Sequence, residues 1–362
     1  MTVYLLAGGG TAGHVNPLLA TAAALREREP SAEVVVVGTV EGLESRLVPE
    51  RGLELIVVPR LPFPRSLSFS ALLFPVRFLL AALSLATVIR QRHVDVVVGF
   101  GGYAAAPAYL AARIARVPVV VHEANAIPGV ANRWASRFAR SVAVAFRGTP
   151  LRRATLVGMP MNATIALLDR NESRAEAFRF FGLDPARPVL LVTGGSTGAR
   201  RINETIRESI RPIIASGWQV VHTVGESREF VDPEVTGYQP LRYCDRMDLA
   251  YAVSDLVIAR SGAATVSELA GLGIPAIFVP YPVGNGEQAR NAEELIAAGG
   301  ALLCRDADFT PQFISDTVIP LLADAPRRRS MSAAAQSLGI RDGAHRLAEL
   351  VSDAVPARGT VR

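Results

Sequence analysis

The first 25 residues constrain the fold most. Val3 to Ala7 is an unbroken apolar run, Gly8-Gly9-Gly10-Thr11-Ala12-Gly13-His14 follows at once, and an Ala-rich stretch continues to Leu25. A short apolar run ending in glycines reads as a buried strand turning into a helix. Asn16 suits the N-cap of that helix and Pro17 its first position, where a missing N–H costs nothing. Such a turn brings a ligand close to the backbone and offers it the open N–H groups of a helix N-terminus, so a phosphate or pyrophosphate fits there. His14 closes the turn, where a turn without a ligand needs no imidazole. Gly8, Gly10 and Gly13 also satisfy the dinucleotide pattern G-x-G-x-x-G, a weak match alone. The acidic ribose ligand expected about 20 residues on is missing, because Val34 to Val37 runs into Gly38-Thr39. A P-loop needs a lysine, and all 38 basic residues are arginine.

The pattern recurs along the chain. Strands are expected at Val34–Val37, Leu55–Val58, Val94–Val98, Val117–Val121, Ser141–Ala145 and Thr155–Val157, with a helix at Glu41–Arg51. Gly99-Phe100-Gly101-Gly102-Tyr103 is a second glycine turn after a strand, and His122-Glu123-Ala124-Asn125 ends another. Gly158 to Asn162 looks like a crossover, and a charged helix in 169–187 opens a new domain. Val189 to Val192 then runs into Thr193-Gly194-Gly195-Ser196-Thr197-Gly198-Ala199, a loose echo of the chain's opening. Further strands are expected at Gln219–Thr223, Leu256–Ala259 and Ala276–Pro280, a strand end at Leu241–Asp245, a helix over Val266–Leu272, and an amphipathic last helix over Asp342–Val355. Strands alternating with helices imply parallel sheets with right-handed crossovers. With 362 residues, two doubly wound, Rossmann-like α/β domains are expected to face a cleft. The boundaries read as 1–158 and 159–339, with the helix 340–355 returning to the first domain.

Two cysteines, Cys244 and Cys304, suggest a reducing compartment. No secretory signal is visible, and a cytoplasmic protein is expected. The net charge of +5 hides an asymmetry: Arg60 to Arg153 holds thirteen arginines against Asp95 and Glu123 alone. A basic half suggests an anionic partner, nucleic acid or an acidic membrane. Leu61 to Ile89 sets Pro62, Phe63, Arg65, Leu72, Leu73, Phe74, Arg77 and Leu80 side by side. Pro75 and Arg77 interrupt it too much for a comfortable span, so a loop and helix resting in a membrane interface is expected.

Polar residues just after buried strands lie at the carboxyl edge of an α/β sheet, where ligands bind. Arg260-Ser261-Gly262-Ala263-Ala264-Thr265 offers close backbone approach and N–H groups for a phosphate, and Glu268 an acceptor for a ribose diol. No metal signature is read: no Asp-x-Asp pair stands at an expected strand end, and the five histidines lack H-x-x-x-H spacing. Without a metal, helix dipoles and hydrogen bonds would stabilise a diphosphate leaving group. His14 is the natural base for an attacking hydroxyl, with Glu123 and His122 in reserve.

Five motifs together resemble one family closely. They are Gly8-Gly9-Gly10-Thr11-Ala12-Gly13-His14-Val15-x-Pro17, Gly99-x-Gly101-Gly102-Tyr103, His122-Glu123-x-Asn125-x-x-Pro128-Gly129, Gly194-Gly195-Ser196-x-Gly198-Ala199-Arg200 and Arg260-Ser261-Gly262-Ala263-x-Thr265-Val266-Ser267-Glu268. In order and spacing, over about residues 3 to 355, the chain resembles the MurG family, the N-acetylglucosaminyltransferases of bacterial peptidoglycan synthesis. The resemblance implies a GT-B fold of two domains and no cofactor. It implies metal-independent, inverting transfer from UDP-N-acetylglucosamine to the muramyl 4-hydroxyl of lipid I, an undecaprenyl-diphosphate-linked muramyl-pentapeptide, giving lipid II. Donor contacts would come from Thr11, Ala12, Gly13, Asn125, Ser196, Cys244, Ala263, Ala264, Thr265, Val266, Ser267, Glu268 and Gln288, and from the position of Asn162. Gly9, Gly10, Gly101, Gly102 and Tyr103 would hold the acceptor diphosphate. The stretch after Leu61 would meet the anionic cytoplasmic face of the cell membrane, with the protein peripheral there. Two positions depart from the family: Asn162 stands where an arginine is frequent, and Glu287 precedes Gln288 where glutamine or histidine is frequent. They motivate an alternative, a related GT-B enzyme acting on a soluble acceptor. A nucleic-acid-binding protein is not expected, for want of aromatic or helical recognition motifs.

Overall fold

Thirteen parallel strands in two sheets carry the computed structural model, which describes residues 1–61, 69–195, 198–225 and 230–356. The chain divides into two units, Met1–Asn162 with Asp342–Arg362, and Ala163–Arg341. The divisions fall a few residues beyond the 158 and 339 read from the sequence.

The first unit holds β1 (Val3–Ala7), β2 (Glu33–Gly38), β3 (Glu54–Val57), β4 (Val96–Gly99), β5 (Val119–Glu123), β6 (Ser141–Val144) and β7 (Ala154–Leu156). Their order is β3-β2-β1-β4-β5-β6-β7. In the centre, Leu5 of β1 stands between Val35 of β2 and Val97 of β4. The central strands β1 and β4 are apolar throughout because helices cover both faces and leave no side for a polar residue. On one face Tyr4, Leu6, Val34, Val36, Val96 and Val98 form a core with helix α1 (Ala12–Arg28). On the other, Leu5, Val97, Val119 and Val121 pack with residues of α3 (Phe69–Gln91) and α4 (Ala105–Ala115). Two short helices, α2 (Glu44–Glu50) and α5 (Val130–Ala135), follow β2 and β5. The chain's last helix, Gly343–Ala354, packs on α1 through Leu347 and Val351, both fully buried. Burial of each such side chain stabilises the fold by about 1.5–3 kcal/mol.

The second unit holds β8 (Val189–Thr193), β9 (Gln219–Thr223), β10 (Tyr238–Leu241), β11 (Leu256–Ala259), β12 (Ala276–Phe278) and β13 (Ala301–Leu303), in the order β10-β9-β8-β11-β12-β13. In each sheet the winding reverses between two neighbouring strands, β1 and β4 in the first unit, β8 and β11 in the second. These are the switch points at which open α/β sheets leave a crevice.

Several expectations need correction. Helix α1 begins at Ala12, not Pro17: Thr11 is extended, and its carbonyl accepts from the N–H groups of His14 and Val15. The turn is complete at Gly10, whose φ of 92° sends the chain straight into the helix. The helix expected from Val266 begins at Ala263. The strand end expected within Leu241–Asp245 falls at Leu241, and β13 and the helices between Pro311 and Leu338 were not foreseen. Helix α3 runs on through Pro75, and Leu72–Gln91 is long and apolar enough, by length and composition, to cross a membrane. One side of it is core, however: Ala81, Ala82, Leu85, Ala86 and Ile89 are buried. Residues 62–68, with Pro62, Phe63 and Arg65, lie outside the described residues.

Candidate active site

In the first unit the turns after β1 and β4 sit side by side at the switch point. A Cβ on Gly102, at φ 78°, would lie 2.4 Å from the Gly9 carbonyl oxygen. A Cβ on Gly101, at φ 92°, would lie 3.1 Å from the His14 ring. Both glycines are therefore needed for contact as well as for conformation. The N–H groups of Thr11, Ala12 and Gly13 in one turn, and of Gly101, Gly102 and Tyr103 in the other, have no acceptor among the described residues. An open helix N-terminus and an open glycine turn thus lie next to each other, an arrangement that attracts an anion.

His14 lies in the first turn of α1, half-buried, with Nδ1 3.2 Å from Thr11 Oγ1. Burial lowers its pKa from the ordinary 6.5, against the opposing pull of the Gly9 carbonyl and the Glu44 carboxylate. The imidazole is neutral at pH 7 and able to take a proton. Tyr103 is partly exposed beside these turns, with the Arg60 guanidinium 5.1 Å over its ring.

Gly10 is placed differently from the expectation. Its N–H donates to Oε2 of Glu44 at 2.9 Å, so that amide faces inward and is not open to a ligand. Sequence reading missed Glu44, since a carboxylate early in a short helix reads as solvated; its signal was the glycines packed about it, Gly9, Gly38 and Gly42.

The two reserve bases are committed to the fold. Glu123, buried at the end of β5, accepts from the N–H groups of Asn125 and Gly129 and from Asn132 Nδ2, each at 2.9 Å. Burial nevertheless raises its pKa. It fixes the loop that carries half-buried Asn125 and buried Pro128, and Asn132 is itself held by the Tyr109 hydroxyl at 2.7 Å. His122 is fully buried, Nε2 3.3 Å from the Gly158 carbonyl oxygen, its ring tilted against Phe100 and its pKa lowered to about 4 by burial.

In the second unit the helix Ala263–Gly271 follows β11 directly. Gly262 caps it with extended backbone and no side chain, so the N–H groups of Ala263, Ala264 and Thr265 have no acceptor among the described residues. Ser261 before it is fully buried, and its carbonyl accepts from Asn291 Nδ2 at 3.3 Å. Val266 and Ser267 face inward. Glu268, one turn on and half-buried, accepts the Tyr251 hydroxyl at 2.8 Å, and burial raises its pKa. Arg260 is turned to the fold: it donates to the carbonyls of Val279 and Pro280 and pairs with Asp306 at 2.6 Å.

After β8, Gly198 sits so close to the Val224 carbonyl that a Cβ would lie 2.3 Å from the oxygen. That carbonyl accepts from Asn203 Nδ2, and Asn203 Oδ1 is 3.1 Å from Nε2 of buried His222, whose Nδ1 is 2.8 Å from the Tyr238 hydroxyl. This chain of buried polar groups was also not foreseen. Ser196 lies outside the described residues. Cys244 is buried and its thiol is pushed up to about 11 by burial, so it is no nucleophile at neutral pH. Gln288 Oε1 accepts from the Tyr281 N–H at 3.0 Å, Glu287 is half-buried beside it, and Asn162 is exposed. Asp306 and Asp308 do form an Asp-x-Asp pair just beyond β13, unnoticed because that strand was not read. Asp306 is paired with Arg260 and Asp308 with Arg305. Among the described residues, no three of His, Cys, Asp and Glu converge as metal ligands.

Comparison with known proteins agrees with this layout. The glycosyltransferase family 28 N-terminal domain matches residues 4–144 and its C-terminal domain residues 189–347. A UDP-N-acetylglucosamine–N-acetylmuramyl-(pentapeptide) pyrophosphoryl-undecaprenol N-acetylglucosamine transferase of Clavibacter sepedonicus is 57% identical, each chain covered in full. A transferase of the same description from Leifsonia xyli is 53% identical over 99% of this chain and 100% of its own. The crystal structure of MurG from Acinetobacter baumannii superposes with a TM-score of 0.78 at 27% identity, covering 98% of this chain and 100% of that one. By these matches the chain belongs to glycosyltransferase family 28 and, within it, to the MurG family of N-acetylglucosaminyltransferases.

Proposed function

We propose that this enzyme transfers N-acetylglucosamine from UDP-N-acetylglucosamine to the muramyl 4-hydroxyl of an undecaprenyl-diphosphate-linked muramyl-pentapeptide, with inversion and without a metal. The observation that carries this reading is the open helix N-terminus at the switch point of each sheet, joined in the first unit by the open glycine turn after β4. Each binds a diphosphate through N–H groups and the helix dipole. The resemblance alone gives Thr11, Ala12 and Gly13 to the donor; because their open N–H groups stand beside those of Gly101 to Tyr103, we assign both sets to the acceptor diphosphate instead. The second unit takes the donor diphosphate on Ala263 to Thr265, with Glu268 on the ribose diol. His14 removes the proton from the attacking hydroxyl as its oxygen bonds to the sugar C1. The C1–diphosphate bond breaks, and UDP leaves with the electron pair, its charge stabilised by preorganised N–H groups.

The acceptor's lipid calls for a membrane surface, and α3 supports one. Leu72, Val76, Leu79, Leu80 and Leu83 form an exposed apolar stripe at helical spacing, Leu72 73% and Leu80 61% exposed. With the arginine excess of the stretch Arg60 to Arg153 to draw it to anionic lipid, this stripe rests on the cytoplasmic face of the cell membrane, the protein peripheral to it.

The deciding experiment is UDP release in EDTA, with UDP-N-acetylglucosamine and with or without a lipid-diphosphate muramyl-pentapeptide. Acceptor-dependent release is expected. UDP-sugar binding without release on that acceptor would overturn the acceptor assignment and favour a soluble acceptor.

A further inference from the structure

Glu44 is a fully buried carboxylate with no arginine paired to it among the described residues. Three donors meet it instead: the Gly10 N–H on Oε2, and the Thr39 N–H and hydroxyl on Oε1, each at 2.9 Å. Its pocket is cut from separate segments by three glycines. A Cβ on Gly9, Gly38 or Gly42 would lie 2.2, 2.4 or 2.0 Å from the Glu44 side chain. Burying a charge costs heavily unless hydrogen bonds satisfy it, so a site shaped this closely around one carboxylate calls for a role beyond filling space.

The geometry supplies that role. Gly10 is a surface residue whose N–H nonetheless points inward, at φ 92°. Immediately after it the chain presents the open N–H groups of Thr11, Ala12 and Gly13 and the ring of His14. We propose that Glu44 is a positioning residue of the transfer reaction: by pinning the Gly10 N–H it fixes the direction in which the following three N–H groups meet the acceptor diphosphate and His14 meets the attacking hydroxyl. This rests on the reading of that turn as the acceptor site. Donors aimed in advance are what stabilise developing charge in a transition state, and they hold their aim only when supported from behind. A charge-assisted hydrogen bond is the stronger kind of support. Because three donors already meet the carboxylate, its charge is largely spent on them rather than on the ligand.

The variants Glu44→Gln and Glu44→Asp of the full chain test this, with Ala12→Pro as a probe of the turn itself. A glutamine can turn its one oxygen either to the Gly10 N–H or to the Thr39 pair, and in both orientations the Gly10 latch loses its charge. An aspartate keeps the charge one methylene short. Proline at the first helical position removes one N–H without disturbing the helix. Transfer is measured with the lipid-diphosphate muramyl-pentapeptide, and UDP binding by calorimetry. The expected result is an acceptor KM about tenfold higher or more in Glu44→Gln, the scale of one lost charge-assisted bond. UDP affinity should stay within twofold, Glu44→Asp should recover part of the loss, and Ala12→Pro should raise the acceptor KM as well. A purely structural role would lower kcat through the active fraction and leave KM alone. An unchanged acceptor KM in Glu44→Gln, with Ala12→Pro impaired, overturns the latch and leaves the acceptor site standing. Unchanged KM in both variants overturns the acceptor site, and the latch with it. If Glu44→Gln does not fold, an unchanged KM in Glu44→Asp overturns the latch.

Discussion

The Tyr251 hydroxyl donates to Glu268 at 2.8 Å. Tyr251 is buried in the helix Met247–Val253, so the contact aims the carboxylate of a separate helix from inside the unit. Burial raises the pKa of Glu268, and the Tyr251 hydrogen bond opposes that rise. Tyr251→Phe should therefore raise it further. The expected outcome is UDP binding weakened about three- to tenfold at pH 7, the effect of one hydrogen bond. Its acid limb should also move to higher pH, because a protonated Glu268 accepts from a ribose diol without charge and more weakly. Calorimetric titration of UDP across pH 5 to 8 checks both.

His14→Ala should lower transfer by about 10²- to 10⁴-fold, the contribution of a positioned base, with UDP affinity and folding retained. Burial lowers the pKa of His14 against the opposing Gly9 carbonyl and Glu44 carboxylate. The acid limb of kcat/KM should accordingly fall below pH 6.5 in the parent enzyme and vanish from the residual rate of the variant. Near-normal activity in His14→Ala would remove it as the base.

Glycine turns after apolar strands were legible because each is local: Gly8 to Gly10, Gly101 to Gly102 and Gly194 to Gly198 all stand directly after the strand they follow. What the sequence hid depends on partners far apart in the chain. Glu44 looks like an ordinary helix residue until the turn 34 positions earlier folds onto it. Asn203, His222 and Tyr238 come from three elements and meet only in the core. Glu123 reads as a base from its place at a strand end, but spacing says nothing of the three donors that occupy it. Asn16-Pro17 is a good local start for a helix. It lost to Thr11, because Gly10 had already turned the chain and tertiary packing extended α1 back by a turn.

The stripe on α3 predicts its own separation of effects. Val76 and Leu80 lie one turn apart and are 56% and 61% exposed. Val76→Asp with Leu80→Asp places two charges where no core packing is lost, so thermal unfolding should shift little. Binding to phosphatidylglycerol vesicles should fall by an order of magnitude or more, from lost apolar insertion and new repulsion. Transfer to a short-chain acceptor in detergent should remain. Vesicle sedimentation of parent and variant, at low and high salt, measures this. Equal binding by both would move the contact elsewhere on the first unit.

The buried histidines give each unit its own pH dependence. His122 in the first unit and His222 in the second are fully buried, and burial lowers their pKa values to about 4 and about 3. Both titrate near 6.5 when unfolded. Between those values and 6.5 the unfolded chain binds a proton that the native unit refuses, so stability rises with pH across that window. The contribution is full above pH 6.5 and is lost as pH falls, at about 1.4 kcal/mol per pH unit for each histidine. Lowering the pH from 7 to 5 should thus weaken both units, each by about 2 kcal/mol from this source. His222→Gln should flatten the slope of the second unit only, at the cost of lower stability at pH 7 from the lost contact with Tyr238 or Asn203. Denaturant unfolding at several pH values, with probes in each unit, reads the two slopes separately. A slope in the second unit that survives His222→Gln would assign it to the carboxylates instead.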